Sequence, residues 1–255
     1  MHPVLSHLAA YPCGALIALD FDGTLAPIVT NPADSRPVHG VVDTLTCLAD
    51  AGMQIAIVTG RDAGTVLTLG RLAPIPGLVV SGLHGAERWQ GGQLVTRDEP
   101  PGIAALRDLL PPLLHQVDPE VWLEDKRLSL VVHTRPAADP AGALLRLAPA
   151  VTALAAAHGL EVHPGKLVHE IRIPDLSKAD ALRLLLTDDT TAALFAGDDV
   201  GDLPAFDAIG QWSQATGRPG ITVAVGEVPA VQDAADLRLE SPAELARTLA
   251  ELLAS

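Results

Sequence analysis

Ala15-Leu16-Ile17-Ala18-Leu19-Asp20-Phe21-Asp22-Gly23-Thr24-Leu25 is the stretch on which the reading of this chain turns. Its first five residues are apolar and uncharged. A run of that length ahead of a glycine turn predicts a strand buried on both faces. Two carboxylates follow, two residues apart, and strand geometry through Asp22 would send both side chains to the same side of the backbone. Gly23 supplies backbone angles that a residue with a Cβ resists. Open α/β sheets hold their ligands beyond the carboxyl ends of their strands, which is where these acids would converge. An unperturbed Asp has a pKa of about 3.9, so both ionise at neutral pH. Set about 4 Å apart, they repel by roughly 4 kcal/mol at an effective dielectric near 20. A bound cation removes that penalty, and hard oxygen ligands suit Mg²⁺. A free carboxylate beside a metal suggests nucleophilic attack on a phosphoryl group. The plain alternative is a solvated Asp-Gly turn.

The chain has 255 residues, enough for one large domain or two small ones around a sizeable core. A hydrophobic fraction of 48% and a charged fraction of 19% are those of a globular protein. The net charge of −14 argues against nucleic acid and anionic membrane as partners. It would also repel an anionic substrate, so a phosphate site needs local positive charge. Lysines are scarce: Lys126, Lys166 and Lys178 stand among 17 basic residues, so each deserves inspection. Cys13 and Cys47 are too few for a disulfide framework or a zinc site. No basic leader and no run of about 20 apolar residues is evident, so the expectation is a cytoplasmic, monomeric protein with no membrane span.

Outward from the opening stretch, strands alternate with helices. Pro27 to Pro37 reads as a loop. His39 to Ala51 has helical spacing and Gly52 as its stop. Gln54 to Val58 is a second buried strand, ending in Thr59-Gly60-Arg61. Gly77 to Ser81 is a third, ending in Gly82-Leu83-His84-Gly85-Ala86-Glu87. Such alternation implies a parallel sheet. The rhythm breaks near Pro100-Pro101. Helix–strand–strand then occurs twice, with strands at Val121 to Asp125, Leu128 to Arg135, Leu160 to His163 and Lys166 to Ile173, the last two joined by Pro164-Gly165. After Pro174 the α/β rhythm returns. Ser177 caps a helix with Asp180 in the capping-box position, and the strand Ala192 to Ala196 ends in Gly197-Asp198-Asp199. The expected fold is α/β, a doubly wound parallel sheet core with an inserted α+β cap: core 1–98 and 175–255, cap 99–174.

The strand ends carry an Asp pair, a Thr, a Lys opening a helix, and a second acidic cluster of Asp198, Asp199 and Asp202. In that order they resemble the haloacid-dehalogenase (HAD) superfamily of phosphohydrolases, and Asp20-Phe21-Asp22-Gly23-Thr24 is the most specific part. Asp20 to Ile28, Thr59-Gly60-Arg61, His84-Gly85-Ala86-Glu87 and Gly197-Asp198-Asp199 further resemble trehalose-6-phosphate phosphatases. So do Glu124-Asp125-Lys126, His133 to Arg135 and Gly165-Lys166 to Glu170 in the insert. Gly201 and Leu203 depart from the Thr and Glu that this family usually places around its last motif Asp.

Chemistry and resemblance together imply roles. Asp20 would attack phosphorus and form an aspartyl-phosphate. Asp22 would protonate the leaving sugar oxygen and then activate water, which contributes about 10²–10⁴-fold. Thr59 would hydrogen-bond a phosphoryl oxygen; by pattern alone it could equally cap the next helix. Lys178 would neutralise phosphate and nucleophile, and it sits in a first helical turn, where the macrodipole makes a Lys unfavourable. Mg²⁺ would take Asp20, the backbone carbonyl of Asp22, and Asp198. The substrate would meet Asp20, Phe21, Asp22, Gly23, Arg61 and His84 in the core. In the insert it would meet Glu124, Lys126 and Glu170, although by spacing alone these form a surface salt-bridge ladder. His133 and Arg135 fall on the other strand parity, which would keep them from that pocket. The resemblance implies hydrolysis of trehalose 6-phosphate to trehalose and phosphate by a phosphatase whose cap closes over its core. Another capped sugar-phosphate phosphatase, a phosphomannomutase, and a sugar-phosphate-sensing module remain open.

Overall fold

The computed structural model describes residues 2–174 and 177–254. It divides into two compact units, Met1–Thr96 with Ser177–Ser255, and Arg97–Leu176. The first break thus falls two residues ahead of the expected one, and the expected second junction touches residues outside the described ones. In chain order the elements are α1 (Pro3–Ala10), β1 (Ala15–Leu19), α2 (Val41–Asp50), β2 (Gln54–Val58), α3 (Ala63–Gly70), β3 (Val79–Gly82), β4 (Glu87–Gln90) and β5 (Gln93–Thr96). Then come α4 (Pro101–Val117), β6 (Trp122–Asp125), β7 (Ser129–His133), α5 (Pro140–Ala157), β8 (Glu161–Gly165) and β9 (Val168–Arg172). The chain finishes with α6 (Lys178–Arg183), β10 (Ala192–Gly197), α7 (Leu203–Thr216), β11 (Gly220–Val225), α8 (Pro229–Ala234), β12 (Leu237–Leu239) and α9 (Pro242–Glu251).

In the first unit, eight strands form one sheet in the order β12-β11-β10-β1-β2-β3-β4-β5. All neighbours from β12 to β3 are parallel. β1 is central and every residue of it is buried, as its uninterrupted apolar run requires. Ile17 and Leu19 face one hydrophobic layer, shared with Leu45 of α2, Val66 of α3 and Leu249 of α9. Leu16 and Ala18 face the other, shared with Leu182 of α6 and Phe206 and Ile209 of α7. Each fully buried Leu, Ile or Phe contributes about 1.5–3 kcal/mol, so both faces of β1 are anchored. Leu19 pairs with Ala196 on one side and Ile57 on the other, which aligns the carboxyl ends of β1, β10 and β2. The hairpin β4–β5 is antiparallel and was not read from the sequence. Its turn is Gly91-Gly92, with φ of +59° and +80°, angles that a two-residue hairpin demands and glycine adopts without strain.

In the second unit, β6-β7-β9-β8 form an antiparallel sheet. Leu106, Leu110 and Leu114 of α4, with Ala143, Leu147, Val151 and Ala155 of α5, pack on Leu130, Val132 and Ile171. Both helices show the i, i+3, i+4 spacing of a core-facing stripe. By length and composition alone α5 could cross a membrane. Its buried stripe identifies it as a core helix of this unit. The β8–β9 turn is Lys166-Leu167, not Pro164-Gly165. Pro164 lies within β8, an edge strand, where a missing N–H costs no ladder bond. Lys166 is therefore a turn residue and not part of the last strand.

Candidate active site

Asp20 follows β1 directly, and its N–H donates to the carbonyl of Ala196 at 2.9 Å. The residue is 5% exposed. Lys178 opens α6, whose N-terminus is capped by Ser177 Oγ accepting from the Asp180 N–H at 3.2 Å. That cap aims the buried lysine at the end of β1. Lys178 Nζ lies 2.9 Å from Asp20 Oδ1 and 2.6 Å from Asp202 Oδ1. Asp202 is fully buried, and its Oδ2 accepts from the backbone N–H groups of Asp198 and Asp199 at 3.0 and 3.2 Å. Both oxygens of Asp202 are thus engaged, one on the lysine and one on the loop that carries Asp198. Gly197 makes room for this arrangement, since a Cβ there would come within 2.3 Å of Asp202 Cγ. The departures at Gly201 and Leu203 leave it intact: Gly201 donates its N–H to Asp199 at 2.7 Å, and Leu203 packs on the apolar layer around Phe206.

Asp198 stands across from Gly23. The φ of Gly23 is +81°, and a Cβ would come within 1.9 Å of Asp198 Oδ2, so both backbone angle and space call for glycine. Thr24 Oγ1 donates to Asp198 Oδ1 at 3.5 Å. One oxygen from each of Asp20, Asp198 and Asp202 lies within 4.8 Å of the others. Burial pushes Asp20 up to about 6 against the pull of Lys178. Burial, then the charges of Asp202 and Asp199, push Asp198 up to about 6. Burial and the charge of Asp20 raise Asp202. Burial alone would pull Lys178 down, but Asp20 and Asp202 outweigh it and hold the ammonium above its ordinary range. Three acids against one lysine leave an uncompensated negative charge lined by hard oxygen atoms, and these residues fit a divalent cation. With Asp202 already engaged, Asp20 and Asp198 are the side chains with oxygens to offer it.

Asp22 does not share a partner with Asp20. The chain turns after β1, and Arg61 grips the Asp22 carboxylate through Nε and Nη2, the latter at 2.7 Å. Ser35, fully buried in the Pro27–Pro37 loop, donates to Asp22 Oδ1 at 2.8 Å. The expected repulsion between the two acids is therefore met by giving each its own cation. Arg61 also donates to the carbonyl of Pro32 at 2.9 Å, so its guanidinium faces Asp22 and this loop. Phe21 is fully buried in the core, and only its backbone is left to meet a ligand.

Thr59 is buried at the end of β2, and its Oγ1 accepts the N–H of Arg61 at 3.2 Å. It does not cap α3; Asp62 does, accepting from the Thr65 N–H at 2.8 Å. The Thr59 hydroxyl proton is left for an acceptor. Leu83 and His84 take φ of +47° and +56°, strain of order 1–3 kcal/mol each. Two backbone bonds hold them there, Leu83 N–H to Arg61 O at 2.8 Å and His84 N–H to Thr59 O at 3.0 Å. The His84 ring consequently lies on Gly60, where a Cβ would be 3.0 Å from its Nε2. Buried Glu87 accepts the Ala63 N–H at 2.9 Å and so anchors the start of α3 beside Arg61. Neither residue is among the expected site residues: Ser35 carries no periodic or motif signal, and Glu87 closes the His84-Gly85-Ala86-Glu87 motif without a role that its position alone suggests.

In the second unit Glu124, Val131 and Glu170 form one row across β6, β7 and β9. The two glutamates share the sheet face away from α4 and α5, about 10 Å apart at two strand spacings. Glu170 accepts from Ser129 Oγ at 3.1 Å. Lys126 follows β6, and its N–H donates to the carbonyl of Ser129 at 2.9 Å. His133 is on this same face, against expectation. The β6–β7 register puts Trp122 opposite His133, so even-numbered residues of one strand face odd-numbered residues of the other. Its Nε2 is 2.7 Å from Glu124 Oε2.

A sequence profile described as trehalose-phosphatase matches residues 18–243. A trehalose-phosphate phosphatase of Mycobacterium marinum is 34% identical over 248 residues, covering 90% of this chain and 59% of that protein. The chain spans less than two thirds of the length of this and other mycobacterial relatives it matches. The structure of Aspergillus fumigatus trehalose-6-phosphate phosphatase superposes with a TM-score of 0.75 at 25% identity, over 98% of this chain and 96% of that one. A haloacid dehalogenase-like hydrolase from Bacteroides thetaiotaomicron shares the fold at 14% identity, with a TM-score of 0.65 over 93% of this chain and 99% of that one. The profile runs unbroken from β1 through the insert to α9, and every element that brings Lys178, Asp198 and Thr59 to the end of β1 lies inside it: the chain belongs to the trehalose-phosphatase family.

Proposed function

We propose that this chain hydrolyses trehalose 6-phosphate to trehalose and phosphate, with Mg²⁺ as cofactor. The observation that carries the reading is Lys178 held between Asp20 and Asp202, with Asp198 seated on Gly23 beside them. Asp20 is a carboxylate at neutral pH, oriented through Oδ1 by the lysine, and its Oδ2 attacks phosphorus. The new bond is Asp20 Oδ2–P; the bond that breaks joins phosphorus to the sugar oxygen. Asp22 exchanges its contacts with Arg61 and Ser35 for the leaving group, takes up a proton from solvent as it leaves the guanidinium, and gives that proton to the sugar oxygen. It then takes a proton from the water that attacks the aspartyl-phosphate, and phosphate leaves with Asp20 restored. Thr59 donates its hydroxyl proton to a phosphoryl oxygen. Asp20, Asp198 and the carbonyl of Asp22 would hold Mg²⁺, which would offset the negative charge of nucleophile and phosphate.

Selectivity for the sugar is the part we assign to the insert. Glu124 and Glu170 accept hydroxyl protons and Lys126 donates, and groups left unpaired by a wrong ligand reject it strongly. A phosphate-release screen across sugar phosphates, with and without Mg²⁺, tests the whole reading. Trehalose 6-phosphate is expected to be hydrolysed fastest, and only with the metal. Rapid release from every ester alike would remove the substrate assignment, and phosphate retained on a sugar would indicate a mutase.

The metal reading has a pH signature. Folded Asp20 and Asp198 hold protons up to about pH 6, whereas an unfolded Asp releases its proton near pH 3.9. From about pH 4 to 6 the folded chain thus binds more protons than the unfolded chain, and stability falls as pH rises through that window. Above it the repulsion persists in full, and a cation relieves it. The rise in melting temperature on adding MgCl₂ is therefore expected to be several degrees larger at pH 8 than at pH 5. Equal rises at the two pH values would contradict binding at these acids.

A further inference from the structure

The outer face of the β6–β7 pair holds a connected set of three side chains that the hydrolytic mechanism does not use. The rings of Trp122 and His133 stack with centroids 4.2 Å apart and planes 6° apart. Nε2 of the same His133 ring is 2.7 Å from Glu124 Oε2. A carboxylate only accepts, so Nε2 carries the proton and donates. Trp122 lies on an edge strand and is 47% exposed. Its burial therefore does little for the core of this unit, and its defined contact is the imidazole.

We propose that Trp122 and His133 are positioning residues for Glu124. The indole fixes the plane of the imidazole, the imidazole fixes Oε2, and Oε1 is presented to a hydroxyl of a pyranose ring. This rests on the reading that Glu124 takes part in recognising the sugar. A glutamate on an edge strand otherwise samples several rotamers, and a ligand must order it on binding. Removing that cost in advance is worth roughly threefold to tenfold in KM. The β6–β7 register brings His133 to the face of Glu124, and the stack then holds its ring in the plane from which Nε2 reaches Oε2.

The test compares kcat and KM on the sugar phosphate hydrolysed fastest with those on p-nitrophenyl phosphate, which has no sugar. For W122A and H133A the KM for the sugar phosphate is expected to rise about threefold to tenfold with kcat retained, so the preference for that ester over p-nitrophenyl phosphate falls by the same factor. W122F keeps a ring on the imidazole and is expected to restore most of the preference. W122L keeps apolar cover without a π face and is expected not to. The shift that the indole imposes on the His133 ring protons, read by NMR, should persist in W122F and vanish in W122L. E124A separates two failures. If E124A leaves the preference intact, Glu124 does not read the sugar and the underlying reading falls. If E124A lowers it but W122L and H133A do not, the positioning inference is overturned while that reading stands. Because W122F and W122L differ in π character and not in polarity, a difference between them reports the stack and not misfolding.

Discussion

Asp20→Asn is expected to abolish turnover, by about 10⁴-fold or more, while leaving the fold in place. The size follows from removing the nucleophile of a covalent mechanism, where loss of one member costs nearly as much as loss of the whole set. No neighbour can take its place. Both oxygens of Asp202 are engaged, and the Asp22 carboxylate is gripped by Arg61 and Ser35. The fold is expected to survive because Asn matches Asp in shape and its carbonyl still accepts from Lys178, which keeps Asp202 as its ion-pair partner. Phosphate release measured beside far-ultraviolet circular dichroism checks this. Near-normal turnover in a folded variant would exclude Asp20 as nucleophile.

Lys178→Ala should lose both activity and stability. Lys178 is 5% exposed, with carboxylates at 2.9 and 2.6 Å. Its removal leaves two buried acids facing each other without their cation. Breaking a buried ion pair on one side typically costs about 3–5 kcal/mol, and a loss of that size is expected in denaturant unfolding at pH 7 without added metal. The deficit should shrink as pH falls towards 5, because the abandoned carboxylates then take up protons that the wild-type cluster binds less readily. Here the variant's acids, freed of the ammonium, have folded pKa values further above the unfolded value, so its stability falls more as pH rises. Turnover should drop by about 10³-fold or more, since the lysine orients the nucleophile and offsets the charge of the phosphate. A variant as stable as the wild type at pH 7 would show that the lysine does not compensate this cluster.

The central strand was legible because burial on both faces demands an uninterrupted apolar run, and Ala15 to Leu19 is one. The convergence of Asp20, Thr59, Lys178 and Asp198 followed from strand ends in a parallel sheet. What sequence could not supply was partner choice. Arg61 lies 39 positions from Asp22 and Ser35 lies 13, and no periodicity links a loop serine to a strand-end acid. Phe21 shows the limit of a motif: it stands between two working acids, yet its side chain belongs to the core. His133 shows the limit of parity. Alternation holds within a strand, but across a hairpin the register decides, and here Trp122 opposes His133. Pro164-Gly165 looked like a turn because those residues favour one, while the edge position of β8 let the strand run through them. Gly91-Gly92 is a hairpin signal, but the four-residue strands that flank it, Glu87–Gln90 and Gln93–Thr96, carry no apolar run to announce them.

Trapping the covalent intermediate tests the account most directly. Enzyme mixed with phosphate-labelled substrate and quenched in acid within one turnover should carry label on the protein. That label should be released by hydroxylamine, as an acyl phosphate is, and should map to the peptide that contains Asp20. Protein that never carries label at any quench time, although phosphate is being released, would contradict it, as would label on a peptide other than the one bearing Asp20.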